Sequence, residues 1–233
     1  MIFEQLFDPE SSTYTYLIGD GSVCALVDPV REQLERDLHR VSELGLKLIH
    51  TLETHLHADH VTSGSTLAER CGSTPILHAE SPVTCEARRV RHGDVFRIGG
   101  LQIRVLETPG HTPESVSFLV EGAPARVLTG DALMIGTCGR CDFQNGDAGQ
   151  LYDSVHAHLF TLPEDTLVFP GHDYKGRSHS TIGDEKRSNA RLTGRTREEF
   201  VTLMASLGLP RPKKMDEALP ANLGCGKIVP EQS

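Results

Sequence analysis

Four side chains that can bind a metal ion fall within six consecutive positions, and this cluster constrains the fold more than any other feature of the chain. Its members are His55, His57, Asp59 and His60. Imidazoles and carboxylates together suit Zn, Fe, Cu or Ni, and clusters this dense are typical of metal or catalytic sites. The apolar stretch 46–53 predicts a buried strand, and residues 60–70 before Gly72 predict a helix. The cluster is therefore expected on a strand-to-helix turn.

Other predicted apolar strands also end at side chains that can bind a metal ion. Counting the opening cluster, four strands are predicted to end at His55, His111, Asp131 and His172. Catalytic groups gather on loops that a rigid sheet positions along a common rim. Seven candidate ligands are enough for two metal ions bridged by Asp131, so spacing alone predicts a hydrolase that activates water between two metals.

The remaining pattern predicts one α/β domain with strands in two sheets and helices outside. Hairpins are expected over 14–27 and 94–106. Asp28 and Pro29 predict a helix N-cap and first turn, with the helix ending at Gly45. Thr196 and Glu199 predict a capping box for a later helix. The segment after Pro212 is expected to be irregular.

Composition narrows the function classes. The 233 residues carry a formal charge of −9, and their one short basic run, at 88–92, is interpreted as a solvated segment, which argues against nucleic-acid binding. No apolar stretch reaches the roughly 20 residues that span a bilayer, and the N-terminus lacks a secretory pattern. We therefore expect a cytoplasmic protein that does not bind membranes, with its six irregularly spaced cysteines reduced.

Two of those cysteines, Cys138 and Cys141, form a CxxC motif. A thioredoxin-like redox role would require a helix N-terminus in a βαβ unit. Here the motif lies in a glycine-rich loop, which favours structural thiols near the site over a redox pair.

The cluster and the later strand ends resemble those of the metallo-β-lactamase superfamily, whose fold is an αββα sandwich with two mixed sheets. Within it the chain looks most similar to the persulfide dioxygenases, also called sulfur dioxygenases. The distinguishing stretches are 128–133, 139–144, 170–176, 185–189 and 220–223. The resemblance covers nearly all of a single domain, 1–233, with a short helical extension at about 185–233.

The resemblance implies one Fe(II) per chain, held by His55, His111 and Asp131. Two histidines and one carboxylate form a facial triad that leaves positions open for O₂ and a substrate. The same resemblance makes the other candidates groups that orient ligands or water. These groups are His57, Asp59, His60 and His172.

The implied reaction oxidises glutathione persulfide with O₂ and water to sulfite and glutathione. Iron suits it because Zn²⁺ has no redox chemistry. Glutathione carries two carboxylates, which arginine forks can bind. Candidate substrate-binding residues in the matching loops are Arg140, Tyr174, Lys175 and Arg177. A homodimer is also common in this family.

Two alternatives use the same residues. The first is a binuclear zinc thioesterase of the glyoxalase II type, which hydrolyses glutathione thioesters. The segment after Glu185 is short for the extra helical domain of that group. The second is a metal-retaining sensor without catalytic activity, against which the intact ligand set argues.

Overall fold

The computed structural model describes residues 1–227, and the last six positions of the predicted extension, 228–233, lie outside it. The strands are β1 Ile2–Asp8, β2 Thr13–Asp20, β3 Val23–Val27, β4 Lys47–Leu52, β5 Thr74–His78, β6 Arg88–Val90, β7 Val95–Ile98, β8 Leu101–Glu107, β9 Val116–Val120, β10 Arg126–Gly130, β11 Leu167–Pro170 and β12 Ser180–Thr181. The α-helices are α1 Leu34–Glu43, α2 Gly64–Cys71, α3 Ala148–Ser154, α4 Ile182–Ser188, α5 Arg197–Ala205 and α6 Met215–Leu223. A search of the described residues finds no helix with the length and apolarity of a membrane span.

The chain divides into two compact units. The first comprises Met1–Val90, Arg97–Leu101 and the tail from Pro210, and the second comprises Arg91–Phe96 and Gln102–Leu209. The assignment of residues 1–233 to one domain stays a prediction.

The first unit contains a mixed sheet in the order β1-β2-β3-β4-β5-β6. Strands β1 to β3 are antiparallel, and β3 to β6 run parallel. Val41 of α1 and Leu67 of α2 pack on apolar residues of this sheet, including Leu26 and Leu48. Because β3 and β4 are parallel neighbours, the residues that follow each of them come out at the same edge of the sheet.

The second unit is built on a mixed sheet in the order β12-β11-β10-β9-β8-β7. Strands β10 and β11 are parallel, so Asp131 and His172 follow them at one edge. Strands β8 and β9 are antiparallel, and the connection between them contains His111. The apolar faces of α3 and α5, with Leu151 and Phe200, pack into the core of this unit.

Several local predictions are confirmed. The hairpins β2–β3 and β7–β8 form as neighbouring strands, and Thr196 and Glu199 make the capping box of α5. Gly72 adopts the left-handed conformation at the C-cap of α2. The helix itself begins at Gly64 rather than at His60, because residues 53–63 form the turn that presents the ligand candidates.

Two predictions are wrong. Asp28 does not cap a helix: its φ is +50°, and a short 3₁₀ turn, Arg31–Gln33, precedes α1. The segment after Pro212 is not irregular, because α6 forms over Met215–Leu223 and buries Ala218 and Ala221 against Val61.

The prediction of six reduced cysteines is also wrong. Cys85 and Cys225 form a disulfide across 140 positions of sequence. The return of α6 to the β5–β6 connection brings them together, and irregular spacing gives no sign of it. The other four, Cys24, Cys71, Cys138 and Cys141, are free thiols.

Candidate metal centre

The turn after β4 in the first unit gathers the dense histidine cluster in a small volume. The ring centroids of His55 and His57 lie 4.1 Å apart, and those of His57 and His60 lie 4.3 Å apart. All three rings are buried, with His60 at 0% exposure. The predicted position at the end of a buried strand is therefore confirmed.

A buried carboxylate orients the first ring of this cluster. Asp28 accepts hydrogen bonds from the Thr54 backbone N–H at 2.7 Å and from the Thr54 hydroxyl at 2.8 Å. That hydroxyl lies 2.9 Å from Nδ1 of His55. Since its only hydrogen is donated to Asp28, the hydroxyl must accept from Nδ1–H of His55. His55 therefore presents Nε2 as its ligand atom, the arrangement that ordering partners of metal-binding histidines impose.

His57 faces two buried carboxylates. Its Nε2 lies 3.1 Å from Asp28 Oδ1 and 3.5 Å from Glu53 Oε2. Burial alone would lower the pKa of His57, but these carboxylates raise it well above its usual value. Burial raises the pKa of Glu53. The two carboxylates engage Nε2 of His57, whereas its Nδ1 lies 4.0 Å from Asp59 Oδ1.

Asp59 and His60 form a second polar group with Thr13. Asp59 Oδ2 lies 3.1 Å from His60 Nδ1 and accepts from the Thr13 hydroxyl at 3.1 Å. His57, Asp59 and His60 each offer one ligand atom within 4.8 Å of the others. Among the described residues, Nδ1 of His57 and Nε2 of His60 are buried without a hydrogen-bond partner. Buried orphan nitrogens of this kind fit a cation or ordered water.

The second unit brings together His111, Asp131 and His172. His172 Nδ1 lies 2.8 Å from Asp131 Oδ1, and His111 Nε2 lies 3.5 Å from Asp131 Oδ2. His111 Nδ1 is 2.6 Å from the Arg140 carbonyl, which can only accept. His111 therefore presents Nε2 beside the second oxygen of Asp131, close enough for both atoms to bind one cation. His55 in the first unit and His111 in the second are oriented in the same way: each donates a hydrogen bond through Nδ1–H, which leaves Nε2 as the ligand atom.

Two glycines allow the backbone to approach these ligands. A Cβ at Gly139 would lie 2.7 Å from the Asp131 carbonyl oxygen and 2.9 Å from His111 Nδ1. A Cβ at Gly171 would lie 3.0 Å from Asp131 Oδ1. The Gly139 N–H also donates to the Asp131 carbonyl at 2.7 Å. Any side chain at Gly139 would therefore push the ligand pair apart.

The four residues predicted to bind substrate differ in their contacts: the two arginines pair with carboxylates, whereas the other two residues are exposed. The Arg140 fork binds Asp142 at 2.6 and 2.7 Å and lies 4.4 Å from the Phe143 ring centre. The Arg177 fork binds Asp173. Lys175 is exposed, and Tyr174 is 72% exposed, with its ring stacked on His172 at 6.0 Å. Both predicted guanidinium groups are thus paired with carboxylates of the chain itself.

The thiols of the CxxC motif have the properties of structural thiols. Cys138 is fully buried, and burial raises its pKa to about 11. Burial also raises the pKa of Cys141. Neutral thiols are poor nucleophiles, which agrees with the structural interpretation of Cys138 and Cys141.

Sequence reasoning missed three residues that organise the turn. Asp28 and Glu53 flank the His57 ring, and the Asn222 amide donates to the His57 and His60 carbonyls at 2.9 Å each. The 220–223 stretch was recognised only as a family motif. In the sequence, Asn222 stands between Ala221 and Leu223, and an amide among apolar neighbours was the available signal.

Comparison with known proteins places these features in context. Residues 8–172 match the model of the metallo-beta-lactamase superfamily. The mitochondrial persulfide dioxygenase ETHE1 of Homo sapiens is 42% identical over 233 residues, covering 99% of this chain and 91% of that protein. The crystal structure of ETHE1 from Myxococcus xanthus has a TM-score of 0.93 at 54% identity, covering 97% of this chain and 100% of that one. The predicted fold class is thereby confirmed.

A more distant relative has a hydrolase name. Hydroxyacylglutathione hydrolase GloC of Haemophilus influenzae is 31% identical, covering 76% of this chain and 91% of that protein. It matches less of the chain at lower identity than ETHE1 does.

Proposed function

The chain belongs to the persulfide dioxygenase family of the metallo-β-lactamase superfamily, and from this we propose that it oxidises glutathione persulfide with O₂ and water to sulfite and glutathione. The observation that carries the proposal is the paired presentation of ligand atoms. His55 in one unit and His111 beside Asp131 in the other are each oriented through Nδ1, as metal-binding histidines are.

The proposed cofactor is a single Fe(II) per chain held by His55, His111 and Asp131. This donor set fits a ferrous facial triad. The bound ion would supply the one-electron chemistry that activates O₂ toward sulfur. His172 holds one oxygen of Asp131 by hydrogen bonding, and this leaves the other oxygen for the ion. His57, Asp59 and His60 order the turn beside the ligands, because His57 is engaged by Asp28 and Glu53.

The substrate would be held by polar groups of the loops that follow β10 and β11. Lys175 and Tyr174 are exposed and offer an ammonium and a hydroxyl to the carboxylates of glutathione. Arg140 and Arg177 already bind Asp142 and Asp173, so their role requires the substrate carboxylate to replace or share those partners.

A binuclear zinc thioesterase is the second candidate. One observation favours it: the mutual proximity of ligand atoms from His57, Asp59 and His60, which resembles a second cation site. The two functions differ in their dependence on this group. The thioesterase needs it to bind a metal ion, whereas the dioxygenase needs only His55, His111 and Asp131.

The test compares metal content and turnover in matched variants. The protein is purified without oxygen, its metals are measured, and O₂ uptake and sulfite release are followed with glutathione persulfide. We expect about one iron per chain by the facial-triad stoichiometry. Asp59→Asn should retain the iron and O₂ uptake, whereas His111→Ala should lose both. Two zinc ions per chain, with hydrolysis of lactoylglutathione and no O₂ uptake, would establish the thioesterase instead.

A homodimer is also proposed, from the family resemblance alone. Light scattering during gel filtration would measure it, and a mass of one 25.5 kDa chain would contradict it. A cytoplasmic location stays a prediction from the sequence, and the animal relatives are named as mitochondrial.

A further inference from the structure

The C-terminal segment holds the ligand turn of the first unit through Asn222. Its amide nitrogen donates to the carbonyls of His57 and His60 at 2.9 Å each, and its amide oxygen accepts from the Thr62 N–H at 2.9 Å. The side chain is 3% exposed. A single buried carboxamide therefore fixes the backbone at both ends of the His57–Thr62 turn.

The residues after Asn222 press against the same turn. The Cys225 carbonyl accepts from the Ser65 N–H at 2.9 Å, at the start of α2. Gly226 has a φ of +90°, and a Cβ there would lie 2.0 Å from the Thr62 carbonyl oxygen. Gly226 and the turn at Thr62 are therefore in contact without room for a side chain between them. A displacement of Cys225 would move either Gly226 or the turn.

The disulfide anchors this contact. It joins Cys225 to Cys85 in the β5–β6 connection, and both lie in an apolar cluster with Leu56, the residue next to His55. Cys225 also lines a narrow cavity together with His55 and His57. The covalent bond therefore attaches the tail, Asn222 included, to the wall beside a proposed ligand.

Of the two bridged cysteines, Cys85 is the more accessible residue. Cys225 is 3% exposed, whereas Cys85 is half-buried. Cys85 also lines an open surface pocket of about 300 Å³ together with Ser65, Thr84 and Lys227. Lys227 in this lining pairs with Glu69, and Glu86 adds a second carboxylate, so the pocket admits a small thiol by its size and open shape rather than by positive charge.

We propose that Cys85–Cys225 is a thiol-exchange site for a low-molecular-weight thiol or perthiol, and that opening it releases the Asn222 contacts that order the ligand turn. This inference rests on the proposed function for the identity of the ion that His55 holds and for the source of the thiol or perthiol. The proposed reaction consumes a perthiol and releases a thiol, so both classes of reductant meet the protein during turnover.

A thiolate attacks the Cys85 sulfur, the Cys85–Cys225 bond breaks, and Cys225 leaves as a thiolate that takes a proton. A second thiolate then attacks the small-molecule sulfur of this mixed disulfide, and Cys85 leaves as a thiolate that takes a proton. The products are two protein thiols and one small-molecule disulfide, so the bridge is reduced by two electrons and two thiols are oxidised.

The test follows the bridge, the turn and the ion in the full chain loaded with Fe(II) without oxygen. Defined ratios of reduced to oxidised glutathione are applied. Alkylation and mass spectrometry report the bridge, hydrogen exchange reports residues 57–65, and transfer to a chelator reports ion release. As the bridge opens, exchange at 57–65 should rise and ion release should quicken about 10- to 100-fold, the range for losing ordering partners of metal ligands.

Two variants sharpen the test. Cys85→Ser should release the ion quickly without thiol and respond no further to it. Cys71→Ser, which removes a free and partly buried thiol of α2, should behave as wild type. An open bridge with unchanged exchange and ion release would overturn the inference, as would a bridge that the thiol leaves intact. If Cys85→Ser does not fold, the wild-type titration still decides the point.

Failure of the proposed function can be distinguished from failure of this inference, because the two are tested by different measurements. Absence of O₂ uptake with glutathione persulfide leaves the bridge, hydrogen-exchange and ion-release measurements intact, because none of them depends on turnover.

Discussion

Replacing Asn189 by alanine should destabilise the loop that carries Asp131 and Arg140. Asn189 follows α4 and is 1% exposed. Its amide donates to the Glu185 carboxylate at 2.7 Å and to the Thr137 carbonyl at 2.9 Å. Its oxygen accepts from the backbone N–H groups of residues 191 and 192 at 3.0 and 3.2 Å. Glu185 in turn accepts from the Gly136 N–H at 2.9 Å.

The magnitude follows from these four hydrogen bonds. Neutral bonds contribute about 1 kcal/mol each, and a bond to a charged group contributes about 1.5–3 kcal/mol. Water that enters the space left by the side chain recovers part of this. We expect the free energy of unfolding to fall by about 3–5 kcal/mol, which corresponds to a melting temperature lower by roughly 6–20 °C in a chain of this length.

Urea unfolding followed by circular dichroism measures the change. Ser188→Ala is the matched control, because its exposed hydroxyl makes one bond to the Asp184 carbonyl, and it should stay within about 0.5 kcal/mol of wild type. Asn189→Asp preserves the volume but faces Glu185 with a second carboxylate, so it should destabilise at least as much as alanine. A loss below about 1 kcal/mol for Asn189→Ala would refute the reasoning, since one neutral bond accounts for that much.

Three further predictions concern the ion, the substrate and pH. Asp131→Ala should release the iron, since it removes one of three proposed protein ligands; elemental analysis showing retained iron would contradict the assignment. Arg140→Ala should raise KM about 10-fold with little change in kcat, if the guanidinium contributes uniform binding; an unchanged KM would remove it from the pocket. Burial raises the pKa of Asp37 to about 6, so folded protein binds the proton more tightly and wild-type stability should fall as pH rises from about 4 to 6. Asp37→Asn should abolish that fall, which amounts to at most about 3 kcal/mol, and urea midpoints at pH 4 and pH 7 would show it; parallel slopes in both proteins would contradict it.

Local signals predicted the parts of the fold that local contacts determine. The β2–β3 hairpin follows from alternating apolar residues around a Gly-containing turn, and α5 follows from Thr196 and Glu199 three positions apart. The ligand turn was predictable because strand, cluster and helix are contiguous. Helix α6 was not, since Pro220 lies inside it and its buried face is mostly small residues rather than an apolar stripe.

The features that the sequence did not predict depend on contacts between residues that are far apart in the chain. Asp28 precedes a proline, which is typical of a helix start, yet its carboxylate binds Thr54, 26 positions further along. Parallel pairing of β3 with β4 creates that contact, and nothing near Asp28 indicates it. The disulfide at 140 positions of separation is the extreme case.

The same long-range contacts separate the two candidate functions. In sequence, His57 and His60 are equivalent members of one cluster, and spacing counts both among seven candidate ligands for two metal ions. In the structure, Nε2 of His57 faces Asp28 and Glu53, whereas Nδ1 of His57 and Nε2 of His60 are both buried without a hydrogen-bond partner among the described residues. A second cation at Nδ1 of His57 would need the neutral ring, with its Nε2–H donating to Asp28, so the buried carboxylates influence the charge of this ligand. The charge of His57, and with it the second candidate metal group, therefore depends on residues outside the histidine motif.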